Sequence, residues 1–516
     1  MIDLARQRTF VREEFILWLD AFERLGYNGL GLYLEGAFDF ESIQGVIREG
    51  VMTPEDARWA VEEGKKRGIY IFPMTNVVGH MNHFFDQERN RALMSSLRCD
   101  QMDFQSPEAE AFAMNIVHEY ARHFGTDLIH IGGDETVLTP ETKMEYARFL
   151  AKICDNMIAE GLKPAIWNDM IWMEPELCEP FSREVCIFDW NYYGHRPESV
   201  AFFKEQGFSD LLVCPSDNSW EGVINRQRLC PHLKARTDWP VKPDEIEAFL
   251  DDAARQQVYS GLLTHWDNTA GRCLWPQWSA FARAALYMNG ELEPGAECDE
   301  AIERKLFGRV TPYTEVTHLL QNDIQRSDLS HKWFMAMRDS LFLTNGLMTL
   351  IDRAAKEAPA FPEDIDRVLP VIEEKLAGWT PETEFEAHCL AGMNGTAAIV
   401  RASNAITKAG RGYQRCYRRA CELQFTSKTT AAQLLDRLAG LFRTAATEVL
   451  AARRIFAGAI AGTGHPVHDL KLMEVNAGKL SLIAALLEEY SLKLDRIPLP
   501  RFEQIIDCAI KGTPIV

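Results

Sequence analysis

Apolar and polar positions divide the chain into two regions of different character. Up to about residue 290, short apolar runs alternate with amphipathic stretches, and several runs, such as LIHI, VCIF and LLVC, are nearly continuous. Such runs are typical of strands in a parallel sheet that helices cover. They predict strands near residues 1–5, 29–35, 70–75, 128–133, 163–168, 185–191, 210–215 and 261–267.

Amphipathic patterns between these runs predict helices, for example FVREEFILWLDAFERLG and PDEIEAFLDDAARQQ. Three predicted helix starts share one form, Thr53-Pro54-Glu55, Ser106-Pro107-Glu108 and Thr139-Pro140-Glu141. In each, the hydroxyl can cap free amides, proline suits the first helical position and the acid favours the positive end of the helix dipole.

Eight strands that alternate with helices predict a (β/α)8 barrel, which we place at residues 1–295. A doubly wound sheet is the competing arrangement, but no GxGxxG or GxxxxGK[ST] motif follows a predicted strand. Beyond residue 300, long Ala/Leu/Arg/Glu segments such as AAQLLDRLAGLFRTAATEVLAARRIFAGAI predict an all-α domain at 296–516. This domain is large enough to form the contact of a homodimer.

Composition narrows the classes of partner. The 516 residues carry a formal net charge of −20 without a long basic run, which argues against nucleic acid or an anionic membrane as the partner. The 12 cysteines are scattered without a CxxC pair, as expected for free thiols in a reducing compartment. The opening MIDLARQRTF lacks an apolar signal region, so we expect a cytoplasmic protein, although residues could be missing upstream because the chain opens inside a predicted strand.

Polar and aromatic residues follow the predicted strands, and in a barrel such positions meet at one mouth. These residues are Arg6, Glu35, His80, His83, Asp134, Glu135, Trp167, Asn168, Asp169, Asp189, Trp190, Asn191, Tyr192, Tyr193, Asp217, Trp220, Trp266, Asp267 and Asn268. Aromatic faces stack on the apolar face of a sugar ring, and carboxylates and amides bind its hydroxyls. The mouth therefore indicates a sugar site.

Asp134 and Glu135 follow two glycines that allow the backbone to approach a ligand closely. An adjacent pair of acids could equally lie on a solvated loop or cap a helix. Two carboxyls in one site, however, shift each other's pKa, so that one can act as an acid while the other stays ionised.

These stretches resemble glycoside hydrolase family 20, the β-N-acetylhexosaminidases. HIGGDE resembles the family signature, IDLAR its first-strand Asp-x-x-Arg, FPMTNVVGH its third-strand loop, PAIWNDM its fifth strand and GLLTHW its last-strand tryptophan. The resemblance covers about the first 290 residues. A barrel followed by helices is most similar to the hexosaminidase D branch.

The resemblance implies substrate-assisted catalysis, in which the 2-acetamido oxygen attacks the anomeric carbon and forms an oxazolinium. Glu135 would protonate the leaving oxygen and then activate water, while Asp134 would hold the acetamido N–H. No cofactor and no metal would be needed.

The remaining roles are also implied by the resemblance. Arg6 would bind outer hydroxyls, and Glu35, where the family usually has Asp, would form a relay with His80. Trp167, Trp190 and Trp266 would wall the acetamide pocket, and Tyr192 would donate to the acetamido oxygen, with Tyr193 as the alternative. Asp169, Trp220 and Asp267 complete the predicted substrate-binding set. Asn168 stands where the family's fifth strand often has an acid. Asn268 stands where many members have the acid that binds O4 and O6, so the choice between N-acetylglucosamine and N-acetylgalactosamine stays open.

The sequence therefore predicts an exo-acting, retaining β-N-acetylhexosaminidase that acts on a glycan or glycoconjugate. One alternative is a metal-dependent barrel hydrolase with ligands from His80, His83, His130, Asp134 and Asp169. Another is an N-acetylhexosamine-binding protein without turnover.

Overall fold

The strands lie in chain order in one parallel sheet. The computed structural model describes all residues except 7, 44–49, 193–197, 218–244, 267–273, 293–297, 325–330, 466 and 516. Within that part of the chain, seven strands pair in the order β1 to β7, and every pairing is parallel. They are β1 (Ile2–Asp3), β2 (Gly29–Tyr33), β3 (Tyr70–Met74), β4 (Leu128–His130), β5 (Lys163–Trp167), β6 (Cys186–Trp190) and β7 (Leu211–Cys214).

The segment at 261–265 closes this sheet into a ring. Gly261 bridges Val213 of β7, and His265 bridges Ile2 of β1, both in the parallel sense. The segment thus supplies the eighth position of the barrel, between the last strand and the first. The predicted (β/α)8 barrel followed by a helical region is confirmed.

Helices follow the strands and cover the sheet. They are α1 (Arg12–Leu25), α2 (Pro54–Lys66), α3 (Asn82–Phe85), α4 (Ala109–Phe124), α5 (Lys143–Ala159), α6 (Pro175–Cys178), α7 (Glu198–Glu205), α8 (Glu245–Arg255), α9 (Trp278–Met288) and α10 (Asp299–Phe307). Two short 3-10 helices lie at Glu88–Leu93 and Trp275–Gln277. Strand side chains such as Leu32, Ile129 and Ile187 are fully buried. Each buried aliphatic side chain of this size contributes about 1.5–3 kcal/mol.

One of the three predicted helix starts is confirmed in full. Helix α2 begins at Pro54, and Thr53 and Asp56 cap each other's backbone amides at 3.1 Å. The other two starts were predicted too early, because α4 begins at Ala109 and α5 at Lys143.

At both of these places the Pro-Glu pair lies in a turn that precedes the helix. The turn before α4 is closed by Ala109 N donating to Ser106 O at 3.1 Å. The turn before α5 is closed in the same way by Thr142 N and Thr139 O, also at 3.1 Å.

Beyond the barrel the described residues contain helices and no strands. These helices are α11 (Tyr313–His318), α12 (His331–Phe342), α13 (Thr344–Glu357), α14 (Pro362–Ala377), α15 (Glu384–Gly412), α16 (Arg418–Leu423), α17 (Lys428–Ala459), α18 (His468–Lys493) and α19 (Phe502–Lys511), with π-helical turns at Leu319–Ile324 and Tyr413–Tyr417. In α17 the buried residues Leu435, Leu438, Phe442, Val449 and Phe456 recur at helical spacing.

The chain divides into two compact units. The first ends at Leu306, and the second is formed chiefly by the residues from Phe307 onward. The ranges 1–295 and 296–516 stay a prediction. Within the described part, no helix is both long enough and apolar enough to cross a bilayer.

Candidate active site

The polar residues predicted from the strand ends collect at the carboxyl end of the barrel. Arg6 follows β1, Glu35 follows β2, His80 lies in the loop after β3, and Asp134 and Glu135 follow β4. Parallel strands of a barrel all end at the same rim, so these side chains face one another.

Two glycines bring the acid pair to the rim. Gly132 and Gly133 have φ of +75° and +98°, which side chains with a Cβ rarely adopt. A Cβ on Gly132 would lie 1.4 Å from Oδ1 of Asn76, and that same oxygen accepts from the backbone N–H of Gly133 at 3.0 Å. The Tyr146 hydroxyl donates to the Gly133 carbonyl. The turn is therefore held from two sides.

Asp134 is the buried member of the pair. Its side chain is 10% exposed, and its Oδ2 lies 3.6 Å from Nε2 of His80. Its Oδ1 is buried and has no hydrogen-bond partner among the described residues. Burial raises the pKa of Asp134, and the negative charge of Glu135 adds to the rise, while His80 opposes it. Asp134 is thus an acceptor with one oxygen available inside the site.

Glu135 is the exposed member of the pair. Its side chain is 53% exposed, and Oε2 lies 3.2 Å from Nε2 of His80. This hydrogen bond holds the pKa of Glu135 below its usual value, although burial acts against the shift. A carboxylate at the open mouth, paired with an imidazole, can exchange a proton with a bound molecule.

Three residues of the site have strained backbone. Glu35, His80 and Glu135 have φ of 43°, 50° and 48°, in the left-handed region that non-glycine residues seldom occupy. Each such residue costs on the order of 1–3 kcal/mol and persists only when its surroundings hold it. Their meeting at one rim is typical of a functional site.

His80 places a positive charge beside the acid pair. Burial acts against that charge, but the hydrogen bond to Glu135 and the charges of Asp134 and Glu35 together raise the pKa of His80 to about 9. His80 is therefore protonated at neutral pH and holds one proton beside Glu135.

We expect the imidazole of His80 to titrate near pH 9 in solution. In Glu135→Gln the pairing carboxylate is lost, so the pKa of His80 should fall. Because the pKa is raised from 6.5 to about 9 on folding, the stability from this charge is complete below about pH 6.5 and is lost as the pH rises through about 9. Ring-selective ¹H–¹⁵N NMR measures the titration.

The control for this titration is His118, which pairs with Glu160 at 2.9 Å away from the mouth. Its signals should be the same in the wild type and in the variant. A wild-type His80 that titrates at or below pH 6.5 would contradict the ion pair with Glu135.

Arg6 lies between acids and aromatic rings. Its guanidinium donates to Asp3 at 2.9 Å and to Glu35 at 3.4 Å, and it lies 5.3 Å from the ring centroids of both Tyr33 and Trp266. Glu35 also accepts from the Tyr33 hydroxyl at 2.6 Å. These bonds of Glu35 run to Arg6 and Tyr33, so its relay with His80 stays a prediction.

Asp169 joins the acid pair from β5. Its carboxylate accepts from the backbone N–H of Glu135 at 2.9 Å and from Nε1 of Trp190 at 3.3 Å. Burial raises the pKa of Asp169 to about 7, and the charge of Asp134 adds to the shift. Asn168 instead binds the buried Asp189, at 2.6 Å, and supports the wall behind the site.

The predicted aromatic residues form one cluster with unequal exposure. Trp190 is partly exposed and lies 4.7 Å from the Tyr192 ring, whereas Trp167 is 2% exposed and lies 6.1 Å from Trp266. The Tyr192 hydroxyl accepts from Nε1 of Trp266 at 3.0 Å. Their roles toward an acetamide stay predictions. Tyr193, Trp220, Asp267 and Asn268 lie outside the described residues.

Of the two other candidate histidines, His130 supports the Gly132 turn, because its Nδ1 accepts from the Gly132 N–H at 3.2 Å. His83 lies 3.9 Å from Asp86 at the surface. His130 is fully buried against Trp167 and Phe188, and burial lowers its pKa to about 3. Among the described residues, no group of three or more His, Cys, Asp or Glu residues is arranged to hold a metal ion. The set proposed for a metal-dependent hydrolase is therefore not assembled here.

Several residues that support the site have no clear signal in the sequence. Asn76 and Tyr33 are joined at 2.8 Å and connect the Gly132 turn to Glu35. Arg98 donates to the backbone carbonyl of Glu135 at 2.6 Å. Tyr33 ends a strand, which could have marked it. Arg98 lies in a loop that no pattern singles out.

A (β/α)8 barrel with an acid pair and aromatic rings at its rim is an architecture that glycoside hydrolases use. The model of the glycosyl hydrolase family 20 catalytic domain matches residues 31–219. That range includes Glu35, His80, Asp134, Glu135 and Asp169. The predicted resemblance to family 20 and the prediction of a glycoside hydrolase are confirmed over this part of the chain.

Individual relatives are more distant. The chain is 25% identical over 173 residues to a lacto-N-biosidase of Bifidobacterium bifidum, a match that spans 29% of this chain and 15% of the relative. A β-N-acetylhexosaminidase structure from Bacteroides fragilis shows 18% identity and a TM-score of 0.37, over 43% of this chain and 50% of the other. Dispersin B shows 17% identity and a TM-score of 0.39, over 56% of this chain and 95% of the other.

Proposed function

We propose that this protein is an exo-acting, retaining β-N-acetylhexosaminidase that removes terminal β-linked N-acetylglucosamine or N-acetylgalactosamine. One observation carries the proposal, namely the difference in exposure and contacts between the two acids of the pair. Glu135 is exposed and touches His80 at 3.2 Å, while Asp134 is buried beside it with Oδ1 lacking a described partner. This difference supports a role for Glu135 toward the leaving oxygen and a role for Asp134 toward the acetamide.

The reaction needs a proton on Glu135, although the resting carboxylate is ionised. The proton is stored on His80, whose pKa of about 9 keeps it charged at neutral pH. When a glycan covers Glu135 and expels water, the ion pair loses hydration and the neutral pair becomes relatively more favourable. The proton then moves from Nε2 of His80 to Oε2 of Glu135.

Bond breaking follows from this arrangement. Glu135 protonates the glycosidic oxygen as the bond to the anomeric carbon breaks, and the substrate's acetamido oxygen forms a bond to the same carbon. Asp134 accepts the acetamido N–H and stabilises the positive charge of the oxazolinium. Glu135, now ionised, takes a proton from water as that water attacks the anomeric carbon. Two displacements leave the product in the β configuration.

The experiment compares p-nitrophenyl N-acetyl-β-glucosaminide, N-acetyl-β-galactosaminide and β-glucoside. We expect release from at least one N-acetyl sugar, no enzymatic release from the glucoside, and a β-anomer as the first product by NMR. Release should be unchanged in a chelator. The ratio between the two N-acetyl sugars determines the preference at C4.

Other results would redirect the proposal. Equal rates on the glucoside would indicate an enzymic nucleophile in place of the acetamido group. An α-anomer would exclude a retaining reaction. Binding of N-acetylhexosamines without release would favour the non-catalytic alternative. The hexosaminidase D branch, the cytoplasmic location and the homodimer remain predictions from the sequence.

A further inference from the structure

A short segment outside the predicted site touches both of its key loops. We name Arg98–Met102 the brace. Arg98 Nη1 donates to the backbone carbonyl of Glu135 at 2.6 Å. Gln101 is paired twice with Val137, since its Oε1 accepts from Val137 N at 2.8 Å and its Nε2 donates to Val137 O at 3.2 Å. The brace is therefore hydrogen-bonded to the loop of Glu135 at Glu135 and Val137.

The brace is also hydrogen-bonded to the loop that carries His80. The backbone N–H of Met81 donates to the Asp100 carbonyl at 2.7 Å, and the N–H of Met102 donates to the Val78 carbonyl at 2.7 Å. Met81 directly follows His80 in the chain, and Val78 lies two residues before it. The brace is thus bonded to both loops that form the His80–Glu135 contact, through Arg98 and Gln101 to one and through Asp100 and Met102 to the other.

A contact within the brace orients the side chain of Arg98. Asp100 Oδ2 accepts from Nη2 of Arg98 at 2.8 Å, which orients the guanidinium toward the Glu135 carbonyl. Gln101 is 1% exposed. An ordered donor on a fixed segment can impose a geometry that a solvated arginine could not.

The strained backbone of the site requires support from neighbouring residues. His80 and Glu135 both have left-handed backbone, with φ of 50° and 48°. Residues in this region return to relaxed conformations unless their neighbours prevent it. A rotation at either residue would move its side chain away from the other.

We infer that Arg98, held by Asp100, is a positioning residue that fixes the backbone of Glu135 so that its carboxylate meets His80. Arg98 acts through the carbonyl of Glu135, and it takes no part in proton transfer itself. The effect on turnover rests on the proposed function, whereas the effect on the His80–Glu135 contact does not.

The test uses Arg98→Ala, with Arg91→Ala as the matched control. Arg91 lies in the same region, and its hydrogen bonds run to the carbonyls of Phe85 and Asp86. We expect Arg98→Ala to lower kcat by about 10–100-fold with little change in KM, because a displacement near 1 Å can cost a rate factor of that order. The control should keep wild-type kcat.

Two further readouts separate positioning from general loss of structure. The titration midpoint of His80, followed by NMR, should move down from about 9 in Arg98→Ala and stay in place in Arg91→Ala. Added guanidinium ion should partly restore kcat of Arg98→Ala. Asp100→Asn keeps the shape of the brace and removes the charge that orients Arg98, so it should show the same changes at smaller size if Arg98→Ala does not fold.

The outcomes distinguish this inference from the proposed function. An inactive wild type would remove the proposed function, and the NMR titration would still test the brace. An active wild type whose kcat and His80 midpoint are unchanged in Arg98→Ala, or unchanged in Asp100→Asn where the first variant is unfolded, would overturn the inference alone.

Discussion

Glu135→Gln should lower kcat on aryl N-acetyl-β-hexosaminides by about 10²–10⁴-fold, the range for loss of a general acid. Gln has the same shape as Glu but cannot carry the proton that the glycosidic oxygen requires. KM should change little, because the side chain is 53% exposed and serves the leaving group. Steady-state kinetics with the p-nitrophenyl substrates measures both parameters.

The effect of Glu135→Gln should depend on how much protonation the leaving group requires. A 2,4-dinitrophenyl leaving group needs little protonation, so the variant should lose much less kcat/KM on this glycoside than on the p-nitrophenyl glycoside. The control is Glu141→Gln, an exposed acid six residues along the chain. An equal loss of kcat/KM, which reports only the step that releases the leaving group, on both substrates would show that Glu135 does not act as the acid.

Gly132→Ala should destabilise the barrel strongly. The added Cβ would lie 1.4 Å from Oδ1 of Asn76, which is fully buried, and the backbone at φ +75° adds its own strain. We expect a cost on the order of 4 kcal/mol, at the upper end for point substitutions. The free energy of unfolding and the thermal midpoint of the barrel transition measure it.

Gly161→Ala is the matched control. Gly161 has φ of +79°, close to that of Gly132, but a Cβ there meets nothing within 4 Å. It should cost only about 1–2 kcal/mol, the penalty of the left-handed conformation alone. Equal losses in the two variants would mean that Asn76 yields without cost. The turn would then not be held as the structure indicates.

The acid pair shows which features of the site could be predicted from the sequence. Asp134 and Glu135 follow an apolar run and two glycines. This pattern predicts that they form an acid pair at the end of a strand. Their difference in burial was not in the sequence, because both are carboxylic acids with the same neighbours in the chain. Contacts with His80, Asp169 and Arg98, each more than 30 residues away, set that difference.

The helix starts show that a longer local motif carries more information than the triplets alone. The Thr-Pro-Glu and Ser-Pro-Glu triplets are equally good local signals, but only Thr53 meets an acid at the right position to complete a capping box. At Ser106 and Thr139 the chain first makes a turn. The difference is visible in the sequence, because Asp56 follows Thr53 by three residues, whereas Ala109 and Thr142 take that place after Ser106 and Thr139.

The sequence by itself determined the alternation of strands and helices, the change to an all-helical region and the identity of the rim residues, because periodicity and strand-end position are local properties. Only the tertiary structure decided which rim residues meet. The His80–Glu135 contact, the Asn76 support under Gly132 and the Arg98 brace join positions far apart in the chain. Such contacts depend on barrel closure and loop packing, and no local pattern encodes them.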